Sequence, residues 1–336
     1  MIPRRLDAID RAGQFAARIM KLRSTTARWG AALLAIGTLL TSSARADDQR
    51  QLIESKESLY NNIYVYKEGD YYAMTFGYNR KIYTESIYNS KDDRDLPVTY
   101  TRYMTEALAY AKNVHSILEI GFGGGRTSWY LHRFLPGVSV TSVELDPEVE
   151  ALAKKYFGIK DEPNFHLVNQ DGRIFLMHST DKYDIILIDA YRGPFVPFQL
   201  LTKEFYQIVK DHLSDGGVVA QNVEPTTMLF DSAVKTIQSV FPQTDFYVAD
   251  GNVVTIAYDG APKDQAALST IAKQRQTELN LRYPLVDMLA QRRGLQANTI
   301  DPNAKVLTDD FAPVEALKAI ENHNRKWPDP SASSSK

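Results

Sequence analysis

Short apolar runs alternate with amphipathic segments over the central half of the chain. Residues with helical periodicity follow each run. The runs are Ser116–Ile120, Val138–Glu144, Phe165–Val168, Tyr183–Asp189 and Gly216–Asn222. Apolar and β-branched runs of this length are typical of parallel strands covered on both faces. The alternation therefore predicts an α/β fold with a doubly wound, mostly parallel sheet and right-handed crossovers.

The pattern changes on both sides of this region. Residues 47–58 are predicted to form a short polar helix, and the tyrosine-rich stretch Asn62–Tyr88 a β-hairpin or three-strand meander. Phe246–Ala249 and Asn252–Tyr258 are predicted to pair as antiparallel strands, with helices near 264–292 and 312–322. The predicted units are a leader (1–46), a β-meander domain (47–95), a central α/β domain (96–260), a helical extension (261–326) and a disordered tail (327–336).

The leader has the pattern of a secretory signal peptide. Basic residues precede an apolar run from Trp29 to Leu40, and Ala44-Arg45-Ala46 provides a cleavage site. The run is too short to span a bilayer comfortably. We therefore expect cleavage after Ala46, export to the periplasm and no stable membrane span afterwards. Met20 is an alternative start, and the protein would be cytoplasmic if the leader does not function.

Composition narrows the function more than the fold. The 336 residues include 44% hydrophobic and 24% charged residues, which is ordinary for a globular protein. There is no cysteine and the six histidines are scattered singly, so we expect no disulfide and no metal site. Residues 1–46 carry eight basic and two acidic residues, which leaves 31 basic and 39 acidic residues in the remainder. Because this remainder is mildly acidic, we expect no nucleic-acid partner.

The first central strand leads into a glycine-rich turn. Gly121, Gly123 and Gly125 lie in this turn, and Glu144 ends the next strand about 20 residues later. Glycines permit positive φ and close approach of a ligand, while a helix start offers free N–H groups. An acid in the position of Glu144 can accept hydrogen bonds from ribose hydroxyls. The pattern predicts a Rossmann-like nucleoside-binding domain and leaves dinucleotides and S-adenosyl compounds as ligand classes.

Two further acids follow the next two strands. Asp171-Gly172 follows the third strand, and Asp189 ends the fourth. Since ligands of such sheets bind beyond the carboxyl ends of the strands, these acids should line one site with Glu144. Asp171 would approach the adenine amino group, and Gly172 would leave room for the ring. Asp189 could accept a proton from an amine or hold a cation.

Together these residues resemble the polyamine aminopropyltransferases, spermidine synthase and its relatives, over roughly residues 58–223. The matching motifs are the glycine turn, Glu144-Leu-Asp146, Asp171-Gly172, Tyr183–Asp189, Phe205-Tyr206 and Gln221. Asn61 stands where the family has a ligand-contacting glutamine. Leu307–Glu315 is similar to a motif of the spermidine-synthase-like branch, whose members often carry export segments. The family's class I methyltransferase-type sheet behind an N-terminal β-meander agrees with the predicted elements.

The resemblance implies transfer of an aminopropyl group from decarboxylated S-adenosylmethionine to an amine. Glu144 would hold the ribose, Asp171 the adenine and the glycine turn the methionine-derived arm. Asp189 would be the base that deprotonates the attacking amine. The residues expected beside the acceptor are Tyr100, Arg192 and Gln221. The implied acceptor is a small amine or amino-acid-like molecule, no metal is required, and a homodimer is one expected state.

Three departures from the family motifs change the expected acceptor. Gly124 stands where the family has an aspartate that contacts the aminopropyl amine. Arg192 replaces an acid that anchors a diamine, and Arg102 replaces a glutamate. Because a buried like-charge contact costs several kcal/mol, plain putrescine is not expected to bind in the usual pose.

Three hypotheses follow from the sequence. The first is an aminopropyltransferase with a changed acceptor. The second is a methyltransferase or aminocarboxypropyltransferase that uses intact S-adenosylmethionine, because Arg126 and Arg192 could pair with its carboxylate. The third is a non-catalytic exported binding protein with the same fold.

Overall fold

Two β-sheets organise the part of the chain that the structure, a computed structural model, describes. The described residues are 49–78, 81–193, 195–227, 229–293 and 300–310. The leader, the predicted helix at 312–322 and the predicted tail lie outside them. Within these ranges no helix combines the length and apolar character needed to cross a membrane.

The first sheet is an antiparallel meander of four strands within the described residues. They are β1 (Gln51–Glu57), β2 (Asn62–Glu68), β3 (Tyr71–Tyr78) and β4 (Lys81–Asn89). The predicted meander is confirmed, but the prediction of a polar helix at 47–58 is wrong. This segment pairs with β2 from Gln51↔Lys67 to Glu57↔Asn62. Most of its residues are exposed, so its sequence lacks the alternation that marks a half-buried strand.

The second sheet has the order β10-β11-β9-β8-β5-β6-β7 in the described chain. Its strands are β5 (Ser116–Ile120), β6 (Ser139–Glu144), β7 (Phe165–Asn169), β8 (Tyr183–Ile188), β9 (Leu213–Val223), β10 (Gln243–Ala249) and β11 (Asn252–Tyr258). β5 to β9 are parallel, and β10 and β11 pair as an antiparallel hairpin. The predicted doubly wound, mostly parallel Rossmann-like sheet is confirmed.

Helices cover both faces of this sheet. They are α1 (Thr99–Met104), α2 (Ala107–Tyr110), α3 (Arg126–Phe134), α4 (Pro147–Tyr156), α5 (Gly172–His178), α6 (Lys203–Asp211), α7 (Phe230–Val240), α8 (Gln265–Leu279) and α9 (Leu285–Leu289). Successive residues of β8 point to opposite faces: Ile185 packs in the cluster that includes Leu108 of α2, and Ile186 in the cluster that includes Phe205 of α6. Burial of each such side chain contributes about 1.5–3 kcal/mol.

The meander lies against the central domain through aromatic rings and one hydrogen bond. The ring centroids of Tyr72 and Tyr156 are 6.1 Å apart, and those of Tyr88 and Phe157 are 6.3 Å apart. The backbone N–H of Gly124 donates to the Ser86 hydroxyl at 2.8 Å. Strand β4 therefore lies directly beside the glycine-rich turn.

Candidate active site

The candidate site lies where neighbouring parallel strands reach their carboxyl ends. In sheet order, the groups found there are Asp171 after β7, Glu144 of β6, the glycine turn after β5, Asp189 after β8 and Asn222 of β9. Parallel strands bring these ends to one edge of the sheet, which is the usual ligand-binding edge. The structure therefore brings together the three acids that the sequence placed in one site.

The glycine turn has the backbone that the sequence predicted. Gly121, Gly123 and Gly125 have φ values of +90°, +52° and +68°. A Cβ on Gly121 would lie 2.4 Å from the carbonyl oxygen of Asp189, and a Cβ on Gly125 would lie 2.1 Å from the Phe122 ring. These two glycines are thus required by close packing within the protein. Their expected contact with a nucleoside remains a prediction.

The carboxylate of Glu144 stabilises this turn by accepting hydrogen bonds from its backbone. Its Oε2 accepts hydrogen bonds from the N–H groups of Phe122 at 3.0 Å and Gly123 at 3.2 Å, and its Oε1 accepts from Asp146 N–H at 3.0 Å. Burial raises the pKa of Glu144, and these backbone hydrogen bonds oppose the rise. Asn61 lies nearby, where its side-chain amide donates to Asp146 Oδ2 at 3.3 Å. Both residues stand at the edge predicted for the ribose.

Asp171 has a structural role at the same edge. Its Oδ1 accepts from two backbone N–H groups at the start of α5, at 2.9 and 3.0 Å, so it caps that helix. A Cβ on Gly172 would lie 2.3 Å from Ile120 Cγ2, so packing against β5 requires glycine here. This packing is a second reason for glycine, and the expected space for an adenine ring remains a prediction. Asp309 of the C-terminal motif holds the same helix start through a hydrogen bond from Arg173 at 2.8 Å.

Asp189 is the acid whose surroundings suit proton transfer. The Tyr100 hydroxyl donates to its Oδ2 at 3.0 Å, and the Asn222 amide donates to its Oδ1 at 3.0 Å. Burial raises the pKa of Asp189 to about 6, although both hydrogen bonds favour the ionised form. A carboxylate that is ionised at neutral pH yet retains some affinity for a proton can act as a general base.

Gln221 does not lie in the position predicted for it beside the acceptor. Its side chain is fully buried, and its Oε1 accepts a hydrogen bond from the Tyr206 hydroxyl at 2.7 Å. The next residue, Asn222, points to the opposite face of β9 and reaches Asp189. We therefore correct the expected acceptor contact from Gln221 to Asn222. The sequence offers both amides and does not show which one faces the site.

The three arginines have different surroundings. Arg126 is 5% exposed, and its guanidinium donates to the carbonyl oxygen of Phe157 at 2.9 Å and to Asp93. Arg102 donates to the Leu96 carbonyl at 2.6 Å. Arg192 has an exposed side chain on the loop after β8. The two terminal nitrogens of Arg126 thus serve the fold, whereas its buried Nε has no hydrogen-bond partner, and its pairing with a substrate carboxylate remains a prediction.

Glu85 is a site residue that the sequence did not indicate. Met74 pairs with Ser86 and Thr75 pairs with Thr84, so Glu85 is an extra residue at a bulge in β4. It lines a small recess together with Tyr100, Glu119, Arg126 and Asp189. Bulges of this kind redirect a side chain without a clear sequence signal, which explains the omission. Among the described residues, no group of three or more His, Cys, Asp or Glu side chains is placed to hold a metal ion.

The chain is similar in sequence and in fold to known aminopropyltransferases. The spermine/spermidine synthase domain profile matches residues 98–254. A polyamine aminopropyltransferase of Vibrio vulnificus is 29% identical over 80% of this chain and 92% of its own length. A probable spermidine synthase structure from Corynebacterium glutamicum has a TM-score of 0.60 at 19% identity, covering 78% of this chain and 98% of that one. A spermidine synthase solved with the transition-state analogue AdoDATO has a TM-score of 0.59 at 22% identity, covering 74% and 85%.

Proposed function

We propose that the chain is a member of the spermidine synthase family of aminopropyltransferases and that it transfers an aminopropyl group from decarboxylated S-adenosylmethionine to a small amine; the profile match and the similar aminopropyltransferases support this. The observation that carries the proposal is Asp189, held between Tyr100 and Asn222 beside the glycine turn. The spermidine synthase of similar fold that was solved with AdoDATO supports an S-adenosyl co-substrate.

In the proposed reaction Asp189 takes a proton from the acceptor ammonium. The freed nitrogen lone pair attacks the propyl carbon beside the sulfonium, where a C–N bond forms as the C–S bond breaks. The bonding electron pair stays on sulfur, so methylthioadenosine leaves as a neutral thioether. Because the donor is already activated, the protein has only to position the two substrates and to accept the proton.

We propose an acceptor other than plain putrescine. Arg192 is exposed on the loop after Asp189, and an arginine fork suits a carboxylate better than a second ammonium group. An amine with an amino-acid-like carboxylate would meet both groups. A screen of diamines and ω-amino acids that measures methylthioadenosine release tests this choice. A clear preference for putrescine over every carboxylate-bearing amine would refute it.

We propose decarboxylated rather than intact S-adenosylmethionine as the donor. Intact S-adenosylmethionine would bring a carboxylate to the site, and the two terminal nitrogens of Arg126 that could pair with it already donate to Phe157 and Asp93. Calorimetric titration of the full chain with decarboxylated S-adenosylmethionine, S-adenosylmethionine and methylthioadenosine separates the donors. We expect the first and third to bind more tightly than the second. Preference for S-adenosylmethionine, or binding of none of them, would contradict the proposal.

We also propose that the protein is exported. The basic and apolar pattern of residues 1–46 supports this location. Expression of the full chain with a C-terminal tag in a Gram-negative host should give periplasmic protein that begins at Asp47. Cytoplasmic protein with an intact leader would overturn the proposal.

A further inference from the structure

Glu85 holds a buried carboxyl oxygen that has no partner. Its Oε1 is shielded from solvent and makes no hydrogen bond. Burial is the main reason that its pKa lies well above the usual range, and the charges of Asp189 and Glu144 raise it further. A buried polar atom without a partner is costly, so it calls for an explanation in terms of an absent ligand or a local role.

The surroundings of Glu85 favour a cation as that ligand. The recess contains the carboxyls of Glu85, Glu119 and Asp189 and a single guanidinium, that of Arg126. Glu119 accepts a hydrogen bond from the Ser142 hydroxyl at 3.1 Å. Arg126 donates from its two terminal nitrogens to the Phe157 carbonyl and to Asp93, and its buried Nε has no hydrogen-bond partner. The described residues that line the recess thus carry three carboxyls against one guanidinium, so a further cation would improve its charge balance.

We propose that Glu85 binds a primary ammonium group of the substrates, in the recess between β4 and the glycine turn. The inference rests on the proposed function, because both substrates of aminopropyl transfer carry such a group. An ammonium group has three donors, which can reach Glu85 Oε1 and a second carboxylate such as Asp189 together. The cation would also offset the repulsion between the two acids.

The position of the turn explains why a residue of β4 has this role. A Cβ on Gly124 would lie 2.7 Å from Ser86 Cβ and 2.7 Å from the Phe157 ring. An acidic side chain at position 124 therefore does not fit beside β4. Glu85, the residue before Ser86, supplies a carboxyl to the recess that Phe122 of the turn also lines.

The ammonium could come from the donor's aminopropyl arm or from the acceptor, and binding to the full chain distinguishes them. The variant is Glu85→Gln, which keeps the shape and removes the charge. Decarboxylated S-adenosylmethionine carries the aminopropyl ammonium, and methylthioadenosine lacks it. If Glu85 binds the donor, E85Q weakens the first by about 30-fold or more, which corresponds to about 2 kcal/mol, and leaves the second unchanged. If Glu85 binds the acceptor, E85Q weakens an amine titrated into the methylthioadenosine complex instead.

Two control variants exclude simpler explanations. Glu68→Gln removes an exposed acid from the same sheet, and Glu106→Gln removes another buried glutamate with unpartnered oxygens. Neither should change ammonium affinity. Because Glu85 has a raised pKa, ammonium binding near neutral pH should also release a proton, seen as a dependence of the measured heat on the buffer, and E85Q should reduce that release.

The outcomes separate this inference from the proposed function. Unchanged affinities for both ammonium ligands in E85Q, with methylthioadenosine still bound, would overturn the role of Glu85 alone. Equal weakening of methylthioadenosine would also overturn it, because the effect would then be a general loss of the site. Failure of wild-type protein to bind methylthioadenosine would instead overturn the proposed function.

Discussion

Replacement of Asp189 by asparagine should decrease turnover and increase stability. The change removes the proposed base but preserves its hydrogen bonds. Asn222 can still donate to the new side-chain oxygen, and the Tyr100 hydroxyl can rotate to accept from the new amide. Because a positioned general base contributes about 10²–10⁴-fold, kcat should decrease by that factor while methylthioadenosine affinity changes little.

The stability effect follows from the raised pKa. Burial moves the pKa of Asp189 from 3.8 to about 6, so the folded state binds this proton more tightly than the unfolded state. The contribution of Asp189 to stability is therefore greatest below its pKa in the unfolded chain, and it is lost as pH rises through about 6. A shift of about two units corresponds to about 3 kcal/mol. The D189N variant has no carboxyl group here and does not lose this stability. Its free energy of unfolding relative to wild type should therefore rise by up to about 3 kcal/mol between about pH 4 and pH 7.

Urea unfolding at several pH values and steady-state release of methylthioadenosine measure the two effects. In wild type, kcat/KM should decrease as pH falls through about 6, and this acid limb should be absent from the residual activity of D189N. Turnover of D189N within about three-fold of wild type would refute the role of Asp189 as base. A stability difference independent of pH would refute the burial argument while leaving the catalytic one open to the kinetic test.

Three other predictions test the placement of individual residues. Gly121→Ala should lower the free energy of unfolding in urea by about 2 kcal/mol more than Gly137→Ala. Both glycines have positive φ, but only a Cβ at position 121 meets the Asp189 backbone. Equal decreases in the two variants would contradict this. Asn222→Ser should lower kcat and shift the acid limb, whereas Gln221→Met should leave the kinetics unchanged, since only Asn222 contacts Asp189; the reverse result would restore Gln221 to the site. Glu106→Gln should stabilise the protein by about 1–3 kcal/mol near neutral pH, because burial raises the pKa of Glu106 and both its carboxyl oxygens are unpartnered. The gain should be smaller below the pKa that Glu106 has in the unfolded chain. A gain that is the same at all pH values would count against this explanation.

The sequence predicts the central domain well because local and long-range requirements coincide there. The run Tyr183–Ile188 is fully buried, so every position is apolar except Asp184, and the strand is evident without knowledge of its partners. The cap at Asp146 is predictable for a related reason, since its side chain accepts a hydrogen bond from Glu148 N–H two residues away. Strand β1 lacks both properties. Its identity depends on pairing with β2, which the residues 51–57 do not encode by themselves.

The site is predicted less completely, because side-chain direction depends on strand register. In a strand, one residue of displacement changes the face, so the sequence could not separate Gln221 from Asn222. From the sequence, Arg126 is expected to pair with a substrate carboxylate. In the structure its two terminal nitrogens donate to the loop residue Asp93 and to the Phe157 carbonyl. Both contacts join segments about 30 residues apart in the chain. Contacts over such separations leave no local pattern in the sequence.

Glu85 and Glu106 show how a functional acid differs from a merely buried one. Both have carboxyl oxygens that are shielded and without hydrogen bonds. The pKa of Glu106 is raised by burial alone, whereas that of Glu85 is raised also by the charges of Asp189 and Glu144. A lone buried acid can be neutral and is only a cost to stability. A buried acid that lines a recess with other carboxyls gains a partner when a cation enters, so its cost in the free protein becomes affinity in the complex. Replacement by glutamine should therefore stabilise the protein at both positions, but weaken substrate binding only at Glu85.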